Sequence, residues 1–352
     1  MNEKMQWLRN KMSSMELQGM IVSNPINIKY LTNIDAEGIL VITRKENIFL
    51  TNAMYIEEVH SVLTLFDEII VYDKNDLTKD EYENLFLFCE NIGFEENHVT
   101  YAQYKEYMHK FKIHNFVETE NMIEKQRMIK DNEEIKNITI ACEITDACFS
   151  YLIEYIKPGM TEKQIAKEIE EYFNIKADGI AFDTIVASGE NTSKPHAIPT
   201  DRKIQDQDII TIDMGCKYTG YCSDMTRTIF VGKVPEYVKD VYELVLKNEK
   251  QTLNDIKDGA NTKILSNMVE NDFKFKNYSL IHCLGHGVGL EVHEVPYVSY
   301  KVDTRLRENM VLAIEPGIYV PRKYGVRIED TVLVTKFGCM SLTKSNKDYI
   351  IL

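Results

Sequence analysis

The feature that most restricts what this chain can fold into is a set of carboxylates written into apolar sequence. Ile209-Ile210-Thr211-Ile212-Asp213-Met214-Gly215 is a strand-forming run that ends in an acid and a glycine. Asp224 follows within Tyr221-Cys222-Ser223-Asp224-Met225-Thr226-Arg227-Thr228. Gly215 and Gly220 suit a turn between two strands, and such a hairpin would bring both acids to one side. Taken alone the pair says little, because acids at strand ends commonly cap or solvate. A third apolar run, Ala313-Ile314-Glu315-Pro316-Gly317, ends in a carboxylate and a Pro-Gly turn. In Val326-Arg327-Ile328-Glu329-Asp330-Thr331, read as one strand, Arg327, Glu329 and Thr331 share a face while Ile328 and Asp330 face the other way. Parity thus sets Glu329 beside Arg327 and sends Asp330 to the opposite side. A surface ion pair is the commoner fate of such residues.

The histidines narrow the reading. Three of the eight fall in His282-Cys283-Leu284-Gly285-His286-Gly287-Val288-Gly289-Leu290-Glu291-Val292-His293-Glu294-Val295-Pro296. Glycines around His286 leave it uncrowded and let backbone approach a ligand. An incidental glycine loop remains the plain alternative. Together, Asp213, Asp224, His286, Glu315 and Glu329 make four carboxylates and one imidazole in or beside apolar sequence. Burying four carboxylates without countercharge is prohibitive. Two divalent cations would cancel that charge, and shared carboxylates can bridge them. Oxygen-rich ligation favours manganese or cobalt over an all-thiolate zinc site. Cys216 and Cys222, close to both aspartates, lack the matching second pair that a zinc-thiolate site needs.

The 352 residues suggest two domains, and 44% apolar content supports a core in each. A net charge of −14 leaves no basic excess for a nucleic-acid groove. No apolar run is long enough to span a membrane, and the first residues hold no export signal. With seven scattered cysteines, reduced thiols in a cytoplasm are expected.

Residues 1 to about 118 read as α/β, with strands near 20–23, 38–43 and 47–50 and helices near 2–15, 53–65 and 79–92. Residues 118–131 are a linker candidate, part of which could be helical. Asp131 caps a long helix with Glu134 as reciprocal acceptor. A stripe of Ile135, Ile138, Cys142, Thr145, Phe149, Leu152 and Ile156 follows, and Lys157-Pro158-Gly159 stops it. Thr161 and Gln164 open a second helix. Strands are expected at 208–213, 222–231, 310–315 and 326–335, and helices at 236–256 and 261–270. This half lacks a strict βαβ rhythm, so α+β is the class. No internal repeat is evident.

In this order the five residues Asp213, Asp224, His286, Glu315 and Glu329 resemble the metal-ligand signature of the pita-bread metallopeptidases, which include methionine aminopeptidase, aminopeptidase P and prolidase. Ser188-Gly189-Glu190-Asn191 with Pro195-His196, and the His293-Glu294-Val295-Pro296 word, look like the Xaa-Pro branch. So does Asn24-Pro25-Ile26-Asn27-Ile28-Lys29-Tyr30-Leu31-Thr32 at the front. The resemblance implies a creatinase-like α/β domain over residues 1–122 and a pita-bread catalytic domain over 123–352. It implies hydrolysis of Xaa-Pro bonds at the N-terminal end of short peptides by a hydroxide bridging two divalent metals, manganese first and cobalt or zinc as alternatives. Asp213 would chelate one metal, Asp224 and Glu329 would bridge, and His286 and Glu315 would complete the second. Glu315 would also pass the proton from nucleophile to leaving nitrogen. His196, His282 and His293 would hold the scissile carbonyl and its oxyanion. Arg327 would orient the bridging carboxylate and the proline side of the substrate. A homodimer formed through the front domain is implied as well.

A bond to proline lacks the N–H that other peptidases grip, which gives a dedicated ring pocket its use. Gln207 stands where many relatives have glycine, so altered turn geometry is expected there. Two rival readings remain: a methionine aminopeptidase-like enzyme, against which the front domain argues, and a non-catalytic pita-bread binding protein, against which the five filled positions argue.

Overall fold

The computed structural model describes residues 3–60, 68–71 and 84–352, with no side-chain description for 68–71. The chain divides into two units, Met1–Arg127 and Met128–Leu352. The expected boundary at 122/123 falls at the start of a short helix, Met122–Arg127, which occupies much of the expected linker.

The first unit is a mixed sheet with helices. Its helices α1 (Glu3–Ser14), α2 (Pro25–Thr32), α3 (Ile56–His60), α4 (Tyr101–Lys110) and α5 (Met122–Arg127) alternate with β1 (Gly19–Val22), β2 (Gly38–Thr43), β3 (Asn47–Thr51), β4 (Glu68–Val71), β5 (Asn91–Phe94) and β6 (Asn115–Glu118). The strand order is β4-β3-β2-β1-β5-β6. Strand β1 is wholly buried, as its unbroken apolar sequence requires of a central strand. On α1, Met5, Leu8 and Met12 form the buried stripe. One expected helix stands with a tighter first turn, and another needs correction. Residues 53–65 begin as a single 3₁₀ turn at Ala53–Tyr55 before α3, and 61–65 lie outside the described residues. The run expected over 79–92 ends in strand β5, because Ile92 is needed between β1 and β6; residues 79–83 lie outside the described residues.

The second unit is built twice on one plan. Its first half holds α6 (Asn132–Tyr155), α7 (Glu162–Lys176), β7 (Ile185–Ser188), β8 (Ile209–Met214), β9 (Lys217–Tyr218), β10 (Tyr221–Cys222) and β11 (Met225–Phe230). Its second half holds α8 (Glu236–Asp255), α9 (Thr262–Phe275), β12 (Gly285–Gly287), β13 (Glu294–Val298), β14 (Val311–Ile314), β15 (Gly317–Val320), β16 (Tyr324–Arg327), β17 (Asp330–Val334) and β18 (Cys339–Ser341). Asp131 and Thr161 each close a capping box, on Glu134 and Gln164. The stripe on α6 is buried at Ile138, Cys142, Thr145, Phe149 and Leu152.

The two halves correspond in detail, which corrects the expectation of no internal repeat. Ile156-Lys157-Pro158-Gly159 and Ile256-Lys257-Asp258-Gly259 make the same helix-to-helix turn, with φ of 94° at Gly159 and 84° at Gly259. Gly159 N–H donates to the Ile204 carbonyl at 2.8 Å, and Gly259 N–H to that of Leu306 at 2.8 Å. Core positions Ile165, Phe173, Ile210 and Ile212 answer to Leu265, Phe273, Leu312 and Ile314. The sheet orders β11-β8-β7 and β17-β14-β12 match too. The repeat survives in turns, caps and buried positions and has drifted elsewhere, so identity alone hides it.

One expected strand is two. Residues 326–335 leave the β15–β16 hairpin at Arg327 and join β14 from Asp330 onward, with Ile328 and Glu329 crossing between sheets. Among the described residues, no helix is long and apolar enough to cross a membrane. All seven cysteines are free thiols.

Candidate active site

The two halves each offer a pair of acids at matching places. Asp213 lies near the end of β8 and Asp224 just before its partner β11; Glu315 directly follows β14 and Glu329 directly precedes its partner β17. Cross-links bind the halves here. Glu329 N–H donates to the Thr226 carbonyl at 3.1 Å. The Thr331 hydroxyl donates to the Asp224 carbonyl at 2.7 Å.

His286 is the middle residue of β12, between two glycines whose smallness has a steric cause. A Cβ at Gly285 would lie 2.1 Å from the Ala313 carbonyl, and one at Gly287 would lie 2.5 Å from that of Val295. The His286 Nδ1–H donates to the Gly287 carbonyl at 3.1 Å, which leaves the Nε2 lone pair facing the acids. That Nε2 stands 3.6 Å from Asp224 Oδ2 and 3.6 Å from Glu315 Oε1. Ligand atoms of Asp224, His286 and Glu329 all lie within 4.8 Å of one another.

Arg327 is the cation that organises this group. Its side chain is 4% exposed. Nη2 donates to Asp213 Oδ2 at 2.7 Å, Nε to Thr226 Oγ1 at 3.0 Å, and Nη1 to the Tyr319 hydroxyl at 2.7 Å and the Pro195 carbonyl at 3.1 Å. Thr226 Oγ1 in turn donates to Glu329 Oε2 at 2.6 Å. Glu329 and Arg327 therefore meet through one hydroxyl, although they do not share a strand. Asp330 turns away and takes Arg227 at 2.7 Å together with Lys347.

His196, His282 and His293 stand around the same cavity, about 730 Å³, which Asp213, Asp224, Glu315, Glu329, Arg327 and His286 also line. His282 Nδ1–H donates to the Cys283 carbonyl at 2.8 Å, so its Nε2 accepts from the Tyr319 hydroxyl at 3.1 Å. The His293 ring lies edge to face with that of His286, 4.4 Å between centroids. Every expected site residue is thus brought to one cavity. Tyr319 and Thr226 were not singled out from sequence. Tyr319 was hidden because Pro316-Gly317 reads as the end of a strand, whereas it starts β15, whose pairing puts Gly317 opposite Arg327.

The electrostatics are those of an acid cluster short of countercharge. Burial, then Glu329, lifts the Asp224 carboxyl well above its ordinary value. Burial, then Glu315, does the same to Glu329. Glu315 is pushed up to about 8 by burial, which Arg327 opposes and Asp213 reinforces. Burial lowers His286 and His282 to about 4, so both rings are neutral near pH 7. Asp213 Oδ1 is buried with no hydrogen-bond partner. An orphaned carboxylate oxygen, a neutral imidazole nitrogen and further buried acids form a donor set that fits hard or intermediate divalent cations.

Residues 136–336 match the family model described as Metallopeptidase family M24. The chain belongs to that family. It is accordingly a metallopeptidase that works with divalent metal. Residues 4–129 match the Creatinase/Prolidase N-terminal domain. Among relatives of this M24 peptidase, an Xaa-Pro dipeptidase of Pyrococcus horikoshii is 36% identical over 356 residues, covering 99% of each chain. A solved Xaa-Pro dipeptidase from Bacillus anthracis superposes with a TM-score of 0.94 at 34% identity, covering 99% of both chains. An X-Pro aminopeptidase from Thermotoga maritima gives 0.86 at 30% identity, covering 97% of this chain and 100% of that one. The pita-bread architecture behind a creatinase-type front domain is therefore the fold of this chain.

Proposed function

We propose that this M24 peptidase hydrolyses Xaa-Pro bonds at the N-terminal end of short peptides, using two divalent metal ions, manganese first. The observation that carries the reading is the convergence of Asp213, Asp224, Glu315, Glu329 and His286, with Arg327 as the cation in contact with the group. Asp213, Asp224, Glu329, His286 and Glu315 would hold the metals. When bound, such cations lower the pKa of coordinated water, so that a nucleophile exists near neutral pH.

The protein's own groups do the rest. Glu315 accepts a proton from the attacking water and delivers it to the proline nitrogen as the bond breaks. His196 and His293 stand by the scissile carbonyl and stabilise its developing charge, while His282, with both ring nitrogens engaged by Cys283 and Tyr319, helps to hold the substrate on that side of the cleft. Tyr319 presets His282 by donating to its Nε2, and Arg327 holds Asp213 while reaching toward the proline side of the cleft. A homodimer formed through the front unit is part of the proposal.

The test is a matrix of Xaa-Pro, Xaa-Pro-Yaa and Met-Ala peptides assayed with metal-stripped protein reloaded with manganese, cobalt or zinc. Cleavage of the proline peptides with added metal is expected, with loss in Asp224→Ala. Preference for Met-Ala, or a folded, loaded protein inert on every proline peptide, would overturn the proposal.

A further inference from the structure

Lys130 stands at the start of the second unit, and its ammonium meets the Glu294 carboxylate at 3.2 Å with side-chain exposures of 3% and 4%. Lysine is seldom buried so fully, and desolvating both charges makes such a pair a poor source of stability. What Glu294 touches suggests a different use. Its carboxylate accepts the Glu291 N–H at 3.1 Å. A Cβ on Gly289 would lie 2.5 Å from one of its oxygens. Gly289 N–H donates to the Glu291 carbonyl at 3.0 Å, and the Gly289 carbonyl accepts from Cys222 N–H at 2.8 Å, two residues before Asp224. The carboxylate of Glu294 therefore fills the inside of the turn over residues 289–293. Lys130 is held in its turn, since its own N–H donates to the Asn309 carbonyl at 2.9 Å. The turn ends in His293, whose ring faces His286 and lines the cavity.

We infer that Lys130 and Glu294 are positioning residues that set the place of His293 in the active site. Neither lines the cavity, so both act through the turn. The inference rests on the reading that His293 contacts the scissile carbonyl. Without the ammonium, Glu294 loses the buried countercharge that stands 3.2 Å from it, and a carboxylate that shifts in response unfills the turn. A shift of about 1 Å in a group that meets the reacting atoms costs on the order of a hundredfold in rate.

The test is a double-mutant cycle on the metal-loaded enzyme with an Xaa-Pro dipeptide, metal content measured for each variant. Lys130→Met is expected to lower kcat/KM by about a hundredfold, chiefly in kcat, with metal content unchanged. Lys130→Arg, which keeps the charge, recovers part of the loss. In a His293→Ala background, Lys130→Met should cost nothing more. An equal loss in both backgrounds overturns the positioning role and leaves that of His293 standing. Full activity in His293→Ala alone instead refutes the reading of His293, and the inference falls with it. Should Lys130→Met fail to fold, the pair Lys130→Met with Glu294→Ala, which empties the turn and leaves no buried charge, takes its place in the cycle, with the same expected and refuting outcomes.

Discussion

Stripping the metal from this enzyme should make its stability fall as pH rises, the reverse of what paired carboxylates give. The Glu315 carboxyl titrates near 8 in the folded protein and near 4.5 when exposed. Between those values the native state keeps a proton that the unfolded chain has lost. Stability therefore declines with rising pH across that window, by about 1.4 kcal/mol per unit. The full effect from Glu315 is of order 5 kcal/mol. Asp224 and Glu329 are raised as well and act in the same direction. Divalent cations replace those protons, so the loaded enzyme escapes the decline. The gap in Tm between loaded and stripped protein should widen steadily from pH 5 to pH 8. Loading at pH 7 should also expel about one proton from Glu315, because a group titrating near 8 is about nine-tenths protonated there. Calorimetric titration with manganese in buffers of different ionisation enthalpy counts the protons, and thermal scans follow the gap. A constant gap, or loading without proton release, would refute the view that cations stand in for protons at this cluster.

Arg327→Lys should lower kcat/KM by more than a hundredfold, because one ammonium cannot serve Asp213, Thr226, Tyr319 and Pro195 together; near wild-type kinetics would contradict this. Tyr319→Phe removes the donor to His282 and an acceptor from Arg327, and a ten- to hundredfold loss of kcat/KM, about 1.5–3 kcal/mol, is expected in steady-state assays. Thr226→Val strips Glu329 of its hydroxyl donor and should weaken metal binding about ten- to hundredfold in competition with a chelator. Gly159→Ala and Gly259→Ala should each cost about 1–2 kcal/mol in denaturant unfolding. A Cβ at either meets nothing within 4 Å, so the loss is pure backbone strain and should be alike in the two turns.

Much of the second unit was legible because its signals are local. Asp131 with Glu134, and Thr161 with Gln164, are capping boxes that a sequence displays openly. Acids at the ends of Ile- and Val-rich runs are just as visible. Parity reached a sound result for Glu329 and Asp330 by a faulty route, since the presumed single strand changes sheets between them. In the first unit, β5 and β6 went unread because Asn91–Phe94 and Asn115–Glu118 are short and begin with asparagine. What makes them strands is their place beside β1, a tertiary cause. Helix α4 shows a Thr100–Gln103 capping box, yet Tyr107 is its one buried residue, so no stripe announces it. Thr226 and Tyr319 act through partners about a hundred and eight residues away respectively, Glu329 and Arg327, and such partnerships exist only once the strands are laid side by side.

The doubled plan of the second unit has a consequence for the order of assembly. Each copy brings two acids, and one copy alone presents only half of a cage. A nascent or partly unfolded chain with either copy disordered could offer a cation no more than an ordinary acidic patch, from which weak binding is the rule. With the proposed ligand set, ion capture would be a late event that seals a finished architecture, and the ions would then hold the two copies shut against one another.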